Sequence, residues 1–351
     1  MIGGVIRRRF WIAGVIGFLI FAYTIKQADF RRLAENFQSI DPAWMLLVLL
    51  TGALSYLCIA AVLYYLLKNI RYALPFYEVF QISLLSCTLN YLMALGGLSG
   101  VAAKVYLLSR EKIPPSNTLS ISMVHGFLTN TIAVLFIYLG FFFLYSEHKM
   151  DMREVEAGVV VLIIAFLLTW LTVKILIDEM FRKRLWRFLQ WAGSAVCSRM
   201  GLPCWLYQEK GQAFFDNFNT SMNLLVGNSR MLVAPTSCAA LDWLLMFLCL
   251  KCSFLAVHYP VDNSTLLVGF SIGLFTSLFS LTPASIGLME GSMAGSFYLM
   301  GLDYEHALVA TLIYRFAYYL LPVIISLLYY KRFFPSEERL PQSQEENQPF
   351  L

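Results

Sequence analysis

The sequence predicts an all-α polytopic membrane protein, and three observations carry that prediction. Of 351 residues, 59% are hydrophobic and only 14% are charged, where soluble domains carry about 25% charged residues. Apolar runs of about 18 residues or more recur along the whole length, each long enough to cross roughly 30 Å of hydrocarbon. Two more apolar segments, 97–110 and 285–300, are glycine-rich and shorter than the usual spanning minimum.

In chain order, eight spans are expected at 10–25, 43–67, 76–95, 117–146, 156–177, 230–257, 264–282 and 304–330. The first follows Arg7, Arg8 and Arg9 without a small-residue cleavage site, so it reads as an uncleaved span with the N-terminus in the cytoplasm. Loop 26–42 is then outside and loop 68–75 inside. Loop 178–229, with Arg182, Lys183, Arg184, Arg187, Arg199 and Lys210, is inside, as is the tail with Lys331, Arg332 and Arg339. These sides agree only if 76–95 with 97–110, and 264–282 with 285–300, each enter and return on one face. Each pair is therefore expected to be a re-entrant hairpin, one from each side.

Segments 96–127 and 284–316 share a plan: a broken apolar segment, a short amphipathic stretch, then a long span, with "NTLSISMVHGF" opposite "HALVATLIYRF". Duplicated units in opposite orientation are a transporter arrangement, with the substrate at the midplane between them. The expected organisation is one transmembrane domain over 1–334. It holds a first repeat at about 43–177, a second at about 230–330, and a basic linker 178–229. In the linker, Trp186, Phe188 and Trp191 alternate with cations, which suits an amphipathic helix on an anionic inner leaflet. The polar tail 335–351 is expected to be disordered. The seven cysteines are an odd number and most lie in apolar spans, so Cys249 and Cys252 read as packing residues rather than a metal or redox pair.

Charges within the spans single out the candidate site. Arg315 is eleven residues into its span, roughly 16 Å deep, and Asp242 lies at similar depth. Such groups cost about 2.5–3.5 kcal/mol on insertion scales and usually face partners. Arg315 is expected to pair with Glu290, with Asp242 as a second or competing carboxylate. In 280–300, Pro283 breaks the helix, Gly287, Gly291 and Gly295 form a smooth stripe for close backbone approach, and Thr282 and Ser285 can bond freed backbone groups. A helix starting near Ser285 would offer its N-terminus to an anion, and Ser99 starts the matching helix. Lys104 sits just beyond the Gly96–Gly100 turn. His125 is a core histidine or a ligand contact. Lys251 and Lys174 are expected to snorkel.

No H-E-x-x-H, G-x-S-x-G or Walker A pattern occurs in the chain. No enzyme activity, cofactor, metal or nucleic acid is therefore expected. "TPASIGLMEGSMAGSFYLMGL" and "ALVATLIYRFAYYLLP" resemble the flippase-like transmembrane region of the lysylphosphatidylglycerol synthases and its stand-alone prokaryotic relatives. The matching residues are Pro283, Gly287, Glu290, Gly301, Ala307, Arg315, Tyr319 and, one position off, Pro322. In "LNYLMALGGLSGVAAKVYLLSREKI", Asn90, Gly97 and Lys104 fit the family's first motif, while its Pro and Glu are missing near Leu95 and Gly100.

The resemblance implies movement of an aminoacylated or otherwise modified phospholipid across the cytoplasmic (inner) membrane, without the synthase domain that makes the lipid. A phosphate-bearing headgroup would then meet Arg315, Glu290, Ser285, Gly287, Asp242, Lys104, Ser99, Tyr319, His125 and Asn90. Polyprenyl-phosphate-linked sugars are an alternative cargo. A lipid-modifying enzyme partner, or a non-transporting role in lipid or glycan synthesis, is the rival expectation.

Overall fold

A computed structural model of the chain describes residues 2–93, 98–147, 152–200, 209–278 and 282–333. The protein is an all-helical, polytopic membrane protein, and among the described residues there is no strand. The first hairpin tip with Leu95, Gly96 and Gly97, Cys204 and the tail 335–351 lie outside the described residues, as do the side chains of Arg7, Arg8, Arg9 and Cys197.

Helix α1 (Ile2–Lys26) leads into a short helix α2 (Phe30–Gln38) and then α3 (Pro42–Asn69). Loop 26–42 is the connection expected on the outer face. It holds α2 because Asp29 caps it, accepting the Arg31 N–H at 2.8 Å, and because Leu33 finds a buried seat. Next come α4 (Phe76–Met93), α5 (Leu98–Arg110), α6 (Pro115–Glu147) and α7 (Met152–Ile177). The linker carries α8 (Glu179–Met200), the expected amphipathic helix, and also α9 (Glu209–Val226). Helix α9 buries Phe215, Phe218, Met222 and Leu225 in the core, so the linker is not merely a surface segment. The last part is α10 (Ser229–Ala256), α11 (Asn263–Leu278), a 3-10 turn (Pro283–Ser285), α12 (Leu288–Leu299), α13 (Tyr304–Arg315), a π-helical segment (Phe316–Leu320) and α14 (Leu321–Phe333). The expected span 304–330 is thus interrupted just after Arg315. Among the described residues, five segments are long and apolar enough to cross a membrane: Pro42–Asn69, Pro115–Ser146, Gly158–Ile177, Ser229–Ala256 and Tyr304–Tyr329.

The central contact is between α3 and α10. The Asp41 N–H donates to the Ala256 carbonyl at 2.9 Å, the Cys249 thiol to the Val48 carbonyl at 3.6 Å, Ser55 to Asp242, and Asn69 to the Met231 carbonyl at 2.8 Å. One partner climbs as the other descends, so the two helices are antiparallel in one register.

The two halves echo each other in detail. Ser55 and Asp242 are 187 residues apart, and the same 187 separates Pro42 from Ser229 and Asn69 from Ala256, the ends of the two helices. Both helices carry an Asx N-cap, Asp41 and Asn228. Both end in a left-handed residue, Arg71 (φ 68°) and His258 (φ 56°). After α5, Glu111, Lys112 and Ile113 bond back to Leu108 and Ser109; after α12, Met300, Gly301 and Leu302 bond back to Phe297 and Tyr298 in the same way. Helix α4 packs on α5 and α11 on α12, while α4 meets α14 and α6 meets α11.

The linker is held by Arg182, which is 2% exposed. Its guanidinium donates to Asn219 at 2.7 Å, to the Ile175 and Leu176 carbonyls at 3.1 and 2.7 Å, and to Asn223. It therefore closes the end of α7 and ties α8 to α9 with charge-assisted bonds. Arg182→Ala is expected to destabilise the fold by about 2–4 kcal/mol and to speed tryptic cleavage within 178–229 in detergent, which limited proteolysis reads directly.

Candidate functional site

The site is built on two helix breaks that face each other. The first is the turn between α11 and α12. Ala284 and Ser285 adopt left-handed backbone (φ 52° and 55°), which side chains rarely accept, and Gly287 follows at φ 84°. Glycine is required at 287 twice over. A Cβ there would lie in an unfavourable backbone region and 2.4 Å from the Gly17 carbonyl oxygen of α1. A Cβ at Gly17 would likewise sit 2.9 Å from the Ile286 carbonyl, so the backbones of α1 and the turn touch. Of the expected glycine stripe, Gly287 and Gly291 face α1, where Thr24 Oγ1 would be 3.0 Å from a Cβ at 291; Gly295 faces open space.

The second break is the π segment after Arg315. Such a segment widens the helix by one residue and frees carbonyls. One of them, on Tyr318, accepts the Tyr56 hydroxyl at 2.9 Å.

Between the breaks lies the expected ion pair. Arg315 Nε is 3.1 Å from Glu290 Oε1, with side chains 7% and 5% exposed. The second carboxylate oxygen accepts the Gly287 N–H at 2.8 Å, the reach-back half of a capping box. Arg315 Nη2 donates to the Ala284 carbonyl at 2.6 Å and Nη1 to Met289 Sδ at 3.0 Å. Its Cζ lies 4.4 Å from the Tyr319 ring centroid, a cation–π contact. Each guanidinium nitrogen has a partner, and Glu290 itself covers the helix N-terminus expected to meet an anion. Helix α12 starts at Leu288. Ser285 therefore lies in the turn, half-buried, rather than at the helix start, and donates its N–H to the Thr282 carbonyl at 3.0 Å.

The first hairpin reaches the same place. Helix α4 touches the Pro283–Ser285 turn, and Tyr91, near the end of α4, packs on Tyr319 with ring centroids 4.9 Å apart. Asn90 accepts the Ser99 hydroxyl at 3.3 Å, joining α4 to the start of α5. Lys104 is half-buried on α5. His125 is 6% exposed, and its Nδ1 has no hydrogen-bond partner among the described residues. The structure thus brings together Glu290, Arg315, Gly287 and Tyr319. It joins Asn90 to Ser99, and places Lys104 and His125 in reach of each other's charge but in no bond to Arg315.

Asp242 corrects the sequence expectation. Its partner is Ser55 on α3, not Arg315, whose carboxylate partner is Glu290. Depth along α10 placed it at the right level but on the wrong contact. Lys251 bonds Asn263 at 2.9 Å and Lys174 lies 3.9 Å from Asp178, so both end charges reach polar groups at helix ends. Sequence reasoning missed the Ala284 carbonyl, Met289 and Gly17. Only Gly17 left a trace, as a small residue inside an apolar span.

Residues 10–326 match the family described as the lysylphosphatidylglycerol synthase TM region. The chain belongs to that family. It is similar to a UPF0104 membrane protein of Methanothermobacter thermautotrophicus, at 28% identity over 120 residues, which is 34% of each chain. It is also similar to a phosphatidylglycerol lysyltransferase of Staphylococcus haemolyticus, at 21% identity over 314 residues, 87% of this chain and 31% of that protein. The chain therefore spans about a third of the length of these relatives.

Removing one partner of the pair strands the other in a dry site. Arg315→Ala is expected to cost about 3–5 kcal/mol. Glu290→Gln, which keeps an acceptor for Gly287, is expected to cost about 1–2 kcal/mol. Thermal unfolding in detergent reads both, and the order of the two variants is the test.

Proposed function

We propose that the protein is a lipid translocase of the prokaryotic cytoplasmic membrane, and that the Glu290–Arg315 pair is the closed state of its headgroup site. The observation that carries this reading is that both partners sit on interrupted helices, the left-handed turn on one side and the π segment on the other. Broken helices at mid-membrane are where transporters bind and move their cargo. A static ion pair between two helices needs neither break.

On this reading, α4 with α5 and α11 with α12 are the two re-entrant hairpins, set among eight spans with both termini in the cytoplasm. Residues 43–177 and 230–330 form an inverted repeat about an axis through the α3–α10 contact, and 178–229 is the cytoplasmic linker. The 187-residue interval, the paired caps and turns, and the antiparallel α3–α10 register support the repeat. The family and its lysyltransferase member favour a phospholipid with a phosphate-bearing headgroup, aminoacylated or not. A polyprenyl-phosphate sugar offers the same phosphate chemistry. The phosphate takes Glu290's place on Arg315, and Glu290 is freed to receive a headgroup amine. The turn at Thr282–Gly287 moves to allow it. The chain acts without catalysis of its own, alongside a lipid-modifying enzyme.

A second reading has its own support. Because each guanidinium nitrogen of Arg315 already has a partner, the pair also fits a purely structural clasp in a non-transporting partner. Reconstitution into vesicles with headgroup-labelled phosphatidylglycerol and its lysyl form separates the two. Glu290→Gln and Arg315→Lys, checked for folding, are expected to slow transbilayer movement at least about tenfold, some 1.4 kcal/mol in the barrier. Folded variants moving lipid at the wild-type rate leave only the clasp.

A further inference from the structure

Asp242 remains outside the site just described, yet nothing neutralises it. It lies near the middle of the 28-residue α10, is 4% exposed and bonds the hydroxyl of Ser55, near the middle of the 28-residue α3. Among the described residues no lysine, arginine or histidine lies within ion-pair distance of it. The titratable groups within reach of its charge are thiols and phenols: Cys58 on α3, Cys87 and Tyr91 on α4, and Tyr318 and Tyr319 of the π segment. Of the other helices packed on α10, α6 carries His125 and Tyr138, α13 carries Tyr314 and Arg315, and α9 carries Asp216, none of them in a described bond or ion pair with Asp242. The stretch of α11 that packs on α10 has no titratable side chain. A carboxylate anion in such surroundings is strongly penalised. A neutral carboxylic acid beside a hydroxyl is not.

A second observation links this acid to the headgroup site. Ser55 is followed by Tyr56, whose hydroxyl donates to the Tyr318 carbonyl at 2.9 Å and lies 3.4 Å from the Tyr91 hydroxyl. Tyr91 packs on Tyr319, and Tyr319 covers the Arg315 guanidinium. The segment that holds Arg315 is therefore braced against the helix that holds the acid's partner. Ser55 and Asp242 also sit on the contact between the two halves, the surface that shifts if the halves rock.

We propose that Asp242 is the proton-binding site that couples lipid movement to a transmembrane pH gradient. This rests on the translocase reading. The carboxylate takes one proton from water on one face, crosses the closed state as the neutral acid bonded to Ser55, and releases that proton to water on the other face. The anionic form requires water, so it exists only when the α3–α10 contact is open to one side. Release of the proton is thereby tied to opening, and opening to the Tyr318–Arg315 segment through Tyr56.

The test uses vesicles containing the protein and headgroup-labelled phosphatidylglycerol, with equal pH on both sides or with a pH step across the membrane. Wild type is expected to move lipid faster in one direction under the step. Asp242→Asn is expected to show a rate that no longer responds to it. Ser55→Ala, which keeps the acid, is expected to keep the response with its pH midpoint displaced. A wild type that moves lipid equally with and without the step overturns this inference and leaves the translocase reading standing; a wild type that moves none overturns the translocase. Infrared difference spectra of the wild type add a readout free of transport. A carboxylic C=O band that appears on acidification and is missing from Asp242→Asn supports proton binding there, and its persistence in the variant refutes it.

Discussion

A guanidinium and a carboxylate buried together among membrane-spanning helices hold each other in place, since either one alone is too costly to leave dry. The Glu290–Arg315 contact organises much around it. Glu290 closes the start of α12 through Gly287, Arg315 holds the left-handed turn through the Ala284 carbonyl, and Tyr319 lies over the guanidinium. Helix α1 completes the arrangement by bringing a bare glycine backbone against the turn. One ion pair thus joins α1, the second hairpin, the π segment and, through Tyr91, the first hairpin.

The first half of the chain shows what this pair is not needed for. In the alignment of the halves, Gly126 stands opposite Arg315, and Gly100 lies where the family's first motif carries its Glu. The helices, caps and turns nevertheless repeat. The helical framework forms without an ion pair at that place, and a Cβ at Gly126 would meet nothing within 4 Å. The pair belongs to the second half alone, while the caps and turns recur in both. The two acids then divide the work, Glu290 bonded to a cation and Asp242 only to a hydroxyl.

The sequence made depth legible, and contact direction less so. Arg315 and Glu290 stood out because charge inside an apolar run is costly, and their pairing followed because few partners were available. Asp242 stood out for the same reason, but distance along α10 says nothing about which neighbour it faces. That is decided by the antiparallel register with α3, a tertiary fact. The break at Pro283 was legible, whereas Ala284 and Ser285 in left-handed backbone were not, since neither residue favours it. Helices α2 and α9 were missed because polar residues interrupt their apolar ones and their stability comes from Leu33 and Phe215 docking on other helices. Gly295 matched the stripe by spacing alone and found open space.

In the translocase proposed above, the turn at Thr282–Gly287 moves for lipid to cross. A Cβ built on Gly291, in the first turn after that break, lies 3.0 Å from Thr24 Oγ1 of α1, so a cysteine sulfur in place of that oxygen would be in reach of one at 291. The decisive measurement is transbilayer lipid movement by Thr24→Cys/Gly291→Cys, with the native cysteines replaced, before and after reduction. The oxidised protein is expected to be stopped, and reductant to restore it. Equal rates in the oxidised and reduced forms, with the cross-link verified, would contradict that motion.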